Sequence, residues 1–73
     1  MDIKIKVGQR IKELRKIILL SQESLANKAD VDRTYVTDVE NGRRNVSVEI
    51  LDRLINALNV TVSEFFDSKE FKK

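Results

Sequence analysis

The stretch Gln22 to Gly42, QESLANKADVDRTYVTDVENG, leaves this chain little choice of fold. Ser21 is placed to cap a helix, and Leu25, Ala26 and Ala29 then recur at helical spacing, so that helix can bury one face. Asp30 and Val31 break the pattern, and Val31 is expected to plug inward. Asp32 can cap a second helix through the backbone N–H groups two and three residues on. That helix has a single apolar pair, Val36 and Val39, at i and i+3. Arg33, Thr34, Tyr35, Thr37 and Asp38 are left pointing outward. Asn41-Gly42 supplies a left-handed close. Two short helices joined by a tight turn, the second with a polar outer face, make the helix-turn-helix pattern, whose second helix enters the DNA major groove.

The rest of the chain reads as support. From about Lys6, the spacing of Val7, Ile11, Leu14 and Ile18 gives one helical stripe, with Arg10, Lys12, Glu13 and Lys16 on the wet side and Arg15 beside the stripe, and the helix is expected to end near Ile18. Residues 1–5 alternate Ile3 and Ile5 with charges, show no cap, and are expected to form an N-terminal arm. After the loop Arg43-Arg44-Asn45-Val46, Ser47 can cap a broad face of Ile50, Leu51, Leu54, Ile55 and Leu58, which Asn59 ends. Thr61-Val62-Ser63-Glu64 is a capping box, with Val60 and Phe65 as its hydrophobic staple. It predicts a short fifth helix containing Phe65 and Phe66. Residues 68–73 are mostly charged and are expected to fray. The expected fold is all-α, with a five-helix domain over residues 6–67.

Seventy-three residues make one domain. A chain this short buries only ~60% of its unfolded surface, so it gains from association. Its 41% hydrophobic and 36% charged residues are ordinary for a soluble protein. No apolar run approaches a membrane span or a signal peptide. With neither cysteine nor histidine there is no disulfide, thiolate nucleophile or usual zinc site, and a cytoplasmic setting is expected. The carboxylates Asp30 and Asp32 read as turn and cap chemistry, and two glycines make no phosphate loop. The expectation is no enzyme, no cofactor and no metal. Net charge is only +2, so DNA binding cannot be read from a basic coat. The positive charge is local, at Arg43-Arg44.

Leu20 through Gly42 resembles the phage lambda repressor segment and the wider Cro and phage-repressor type helix-turn-helix family. The resemblance is carried by Leu20, Ser21, Gln22, Glu23, Ser24, Ala26, Lys28, Val36, Asn41 and Gly42, with Asn56-Ala57-Leu58 ending a later helix. Asp32-Arg33-Thr34-Tyr35 and Glu40-Asn41-Gly42-Arg43-Arg44-Asn45 are most similar to the controller proteins of restriction-modification systems. The resemblance spans roughly Val7 to Phe66 and implies a five-helix lambda-repressor-like domain. Two departures stand out. Leu19 and Asp30 occupy positions where the family commonly has glycine. Leucine at a positive φ is strained, so either that turn takes another geometry or some of Ile17-Ile18-Leu19-Leu20 packs against a partner subunit.

Read on this pattern, Arg33 stands at the start of the recognition helix, where arginine can grip guanine, and Thr34 and Thr37 share its face as base-contacting residues. The alternative for Arg33 is a turn salt bridge to Asp30 or Asp32. Gln22, Tyr35, Arg43, Arg44 and Asn45 are the expected phosphate-backbone contacts, although Tyr35 could equally brace the helix against the loop, and the resemblance implies that Gln22 also steadies the next helix. The resemblance also implies a buried ion pair between Arg15 and Glu40. An apolar excess at Leu58, Val62 and Phe66 is expected to form a homodimer interface. The function expected is a homodimeric transcription regulator, probing palindromic half-sites of a double-stranded operator, with RNA polymerase as a further partner. Controller of a restriction-modification operon is the favoured subtype. An antitoxin-like or phage Cro-like repressor is the alternative, and a protein-interaction module that has lost DNA binding the remoter one.

Overall fold

The computed structural model describes residues 2–72; Met1 and Lys73, the outer ends of the expected arm and tail, lie outside the described residues. Five helices follow in order: α1 (Ile3–Ile17), α2 (Gln22–Ala29), α3 (Arg33–Glu40), α4 (Val48–Ala57) and α5 (Val62–Phe66), then a 3-10 turn, Lys69–Phe71. The fold is all-α.

Each α-helix starts where a short polar side chain meets an orphan N–H group. Ser21 Oγ accepts from Ser24 N at 3.0 Å, Asp32 Oδ1 from Thr34 N at 2.7 Å, and Ser47 Oγ from Ile50 N at 3.1 Å. At α5 both halves of the capping box form: Glu64 N donates to Thr61 Oγ1 at 3.0 Å and Thr61 N to Glu64 Oε1 at 2.8 Å. The first helix differs from expectation. Asp2 Oδ1 accepts from Lys4 N at 2.8 Å, so α1 begins at Ile3 and residues 3–5 are helix rather than arm.

Three turns repeat one hydrogen-bonding scheme. Leu20 N donates to Arg15 O at 3.0 Å, Val31 N to Ala26 O at 2.9 Å, and Arg43 N to Asp38 O at 3.0 Å. These are the long-range bonds of a Schellman close, and each needs a left-handed residue just before the donor. Those residues are Leu19 (φ 60°), Asp30 (φ 58°) and Gly42 (φ 72°). The α1–α2 turn therefore keeps the geometry that glycine would give, with leucine strained into it, and no alternative turn arises. Leu19 is 91% exposed, so its side chain gains nothing in return. Within the run Ile17 to Leu20, only Leu20 packs against the core.

The core joins Val7, Ile11 and Leu14 of α1 to Leu25, Ala26, Ala29, Val36, Val39, Leu54, Ile55, Leu58 and Phe65. The α1 stripe stops at Leu14, because Ile18 lies past the helix end and stays 36% exposed. Gly8 lets α1 cross the end of α3 at backbone distance: a Cβ there would stand 2.2 Å from the Val39 carbonyl oxygen. Leu58 is a correction. It shares the inward face of Leu54 and Ile55 and is 1% exposed, so it belongs to the core of the single chain and not to a dimer interface. The tail differs as well. Phe71 packs on Phe66, ring centroids 4.8 Å apart, and the 3-10 turn lies against α1, so residues 69–71 are docked rather than frayed. Arg10 ties the same end down, donating to the Phe65 and Glu64 carbonyls at 2.6 and 2.7 Å.

A left-handed non-glycine residue costs roughly 1–2 kcal/mol, and glycine returns part of that as unfolded-state entropy. Leu19→Gly should therefore raise stability by ~0.5–1 kcal/mol, read as a higher thermal midpoint. A lower midpoint would mean that Leu19 makes contacts its exposure does not show.

Candidate nucleic-acid interface

The recognition helix is held by charge buried behind it. Arg15, near the end of α1, donates from Nε to Glu40 Oε2 at 2.7 Å and from its second terminal nitrogen to Glu40 Oε1 at 3.0 Å. Its remaining fork nitrogen donates to the Leu20 carbonyl at 2.8 Å, in the α1–α2 turn. The two side chains are only 11% and 1% exposed. Arginine suits the place because one planar fork can hold a carboxylate and a carbonyl together.

From Glu40 the network runs forward. Gln22 Nε2 donates to Glu40 Oε1 at 3.0 Å, and Thr37 Oγ1 donates to Gln22 Oε1 at 2.9 Å. An ionised carboxylate only accepts, which fixes the amide orientation and turns the Gln22 oxygen toward Thr37. Gln22 thus spends its side chain bracing α2 against α3. Its position at the positive end of α2 leaves the backbone as the part that can meet a phosphate. Thr37 is half-buried beside it, with its hydroxyl turned to α2.

The outer face of α3 carries Arg33 and Thr34, both exposed. Arg33 stands 3.9 Å from Glu23 on α2, and not in a turn salt bridge to Asp30 or Asp32. Tyr35 is half-buried, and the Arg44 guanidinium lies 4.5 Å above its ring centroid. Arg43 and Arg44 both lean toward Asp38, at 3.8 and 3.7 Å. Asn45 is exposed in the following loop. The fold therefore brings Arg33, Thr34, Thr37, Tyr35, Arg43 and Arg44 onto or around one helix. Sequence reasoning missed Asp38 as a partner of the loop arginines. The signal was present: a carboxylate in the second half of a helix opposes the helix dipole and calls for a reason.

The helix-turn-helix family model matches residues 11–65. Control protein C.MunI of a Mycoplasma species is 49% identical over 70 residues, covering 94% of this chain and 95% of that protein. The chain belongs to the helix-turn-helix control proteins. It is accordingly not an enzyme. Among solved structures, the restriction-modification controller protein C.AhdI from Aeromonas hydrophila superposes with a TM-score of 0.83 at 46% identity, covering 86% of this chain and 96% of that one. The controller C.Esp1396I, solved as a tetramer in complex with its natural 35 base-pair operator, superposes at 0.92 with 33% identity, covering 100% and 99%.

Away from α3, Val62 is 53% and Val48 85% exposed. With Leu51, Ile55 and Phe66 they line an open apolar groove of about 440 Å³ between α4 and α5. Of the three residues expected at a dimer interface, Val62 and Phe66 lie on this surface.

Removing one member of a buried ion pair costs ~3–5 kcal/mol, whereas replacing both by apolar groups can be nearly neutral. Glu40→Ala also strands the Gln22 amide, so it should lower the thermal midpoint severely. The double variant Arg15→Met, Glu40→Leu should recover much of that loss. A Glu40→Ala chain that melts within a degree or two of wild type would contradict a buried, coupled pair.

Proposed function

We propose that this protein binds double-stranded operator DNA as a homodimer and regulates transcription of a restriction-modification operon. The observation that carries this reading is α3: its outer face offers Arg33 and Thr34, while its inner face is locked through Glu40 to α1 and through Gln22 to α2. A helix held this rigidly presents base-reading groups at fixed positions, and the arginines following Gly42 flank it where the chain leaves the groove.

One such helix contacts too little DNA for strong discrimination. Two copies read palindromic half-sites about one helical turn, ~34 Å, apart. Val62 and Phe66 supply the apolar surface for pairing the two copies, continuous with the α4–α5 groove. Base reading falls to Arg33 and Thr34, with Thr37 contributing its methyl group or a hydroxyl lone pair. Backbone holding falls to Arg43, Arg44, Asn45, Tyr35 and the Gln22 end of α2. The setting is the cytoplasm, and RNA polymerase is the further partner where the bound dimer lies beside a promoter.

Two measurements test this. Losing a bidentate base contact costs ~1–3 kcal/mol and relaxes preference at one base pair, whereas losing a phosphate contact weakens all sequences alike. Arg33→Ala should therefore lower the ratio of specific to non-specific affinity, and Arg43→Ala should leave the ratio nearly intact while reducing the salt slope by ~1. Equal weakening on both DNAs by Arg33→Ala would make it a backbone clamp. Separately, Phe66→Glu should shift sedimentation toward monomer and weaken DNA binding together. A variant still dimeric at micromolar concentration would remove Phe66 from the interface.

A further inference from the structure

We propose that Asp38 stands, in the free protein, where a DNA phosphate stands in the complex, and that it sets the sequence-independent part of the affinity. The inference rests on the operator-binding reading above and concerns a residue to which that reading gives no part.

Asp38 lies in the second half of α3, where the helix dipole disfavours a negative charge, and no basic residue occupies the last turn of that helix to offset it. It caps no helix. Its carboxylate faces two guanidinium groups, Arg43 at 3.8 Å and Arg44 at 3.7 Å, both from the loop beyond Gly42. These distances exceed those of the Arg15–Glu40 bonds, and the arginine side chains are 69% and 47% exposed. Exposed, loose pairs of this kind add little to stability. Their effect is on position and charge.

On position, Asp38 holds both arginines beside α3, and the Arg44 guanidinium also lies over the Tyr35 ring, 4.5 Å from its centroid. Both cations are gathered at one anion, one at each carboxylate oxygen, and are held there until a phosphate displaces it. On charge, one carboxylate between two guanidiniums leaves a local charge of about +1 where the arginines alone would give +2. An incoming phosphate must displace Asp38 from its partners and then lie beside it. Both effects weaken backbone binding, and neither depends on which bases are present. The small net charge of the chain, +2, has the same consequence on a larger scale. A regulator built this way keeps its phosphate-gripping arginines without holding indiscriminately to DNA.

The experiment compares the full-length wild type, Asp38→Asn and Asp67→Asn. Asp67 is an exposed carboxylate beyond α5, paired with Lys72 at 2.8 Å, and its replacement adds the same unit of charge outside the helix-turn-helix. The probes are a duplex selected by the wild-type chain from a random-sequence pool and a scrambled duplex, each titrated across a salt series. Asp38→Asn should bind both duplexes severalfold more tightly, keep their affinity ratio, and steepen the salt slope by about one. Asp67→Asn should do none of these. Circular dichroism confirms folding, and Asp38→Ala serves as a second variant with the same expected outcome.

The proposal is overturned if Asp38→Asn leaves affinity and slope unchanged, or if Asp67→Asn matches it, which would make the effect one of bulk charge. It is equally overturned if Asp38→Asn alters base preference in a fresh selection, since Asp38 would then read a base donor. Failure of the wild type to select any duplex would defeat the operator-binding reading itself, a result separate from all of these.

Discussion

The bond between Arg15 and Glu40 is the constraint on which the arrangement of the first three helices depends. Glu40 is the last residue of α3, and Arg15 lies two residues from the end of α1, so one ion pair fixes two helix ends together. The third arm of the arginine fork reaches the Leu20 carbonyl and so secures the turn into α2. Gln22, the first residue of α2, closes the circuit by donating to the same carboxylate. A buried carboxylate with a single partner would be a liability, since desolvation is offset only when its lone pairs are filled. Here three donated bonds satisfy both oxygens, and no buried side-chain nitrogen or oxygen among the described residues is left without a partner. An apolar pair could match the stability. It could not also orient Gln22, and through Gln22 the hydroxyl of Thr37.

Close approach makes that bond possible. Gly8 brings α1 against the end of α3 at a distance no side chain would allow, which sets the crossing that carries Arg15 to Glu40 about two turns further along. Gly42 does the equivalent about one turn earlier on α1, with Ile5 standing where its side chain would be, and its positive φ continues the chain into the arginine loop. The two glycines of the sequence thus sit at the two places where α1 meets the end of the recognition helix.

What could be read from the sequence follows the range of the physics involved. Helix starts at Ser21, Asp32, Ser47 and Thr61 were legible because a cap acts on an N–H two or three residues away. Asp2 was overlooked because the residues after it alternate apolar and charged, a pattern that does not announce a helix. The end of α1 near Ile18 and its apolar stripe through Leu14 were legible. Ile18, as the cap residue, leaves the stripe and stays 36% exposed, which periodicity does not show. Leu58 looked surplus to one small core, and only the packing of α4 shows that the core encloses it. For the site, the residues of α3 and its flanking loop could be named from their spacing. A steadying part for Gln22 came only from the family resemblance. Its bond to Glu40 and the gathering of Arg43 and Arg44 on Asp38 could not be read from spacing, because each is decided by side chains brought together only in three dimensions.

The three repeated turns show how one local device is put to different uses. In each, a left-handed residue is followed by a residue whose N–H reaches back five positions to a helix carbonyl. After α1 that residue is Leu20 and after α2 it is Val31, and both pack against the core, so these turns fold the chain inward. After α3 it is Arg43, and the side chain stays in solvent. The backbone bonds are the same, and the difference lies in one side chain. A leucine or valine there would draw the loop onto the core and leave Arg44 as the one arginine against Asp38. With arginine, the turn that ends the recognition helix also opens the loop that carries Arg43, Arg44 and Asn45. The same geometry that closes the domain at two corners therefore exposes it at the third, next to the helix that the Arg15–Glu40 bond holds in place.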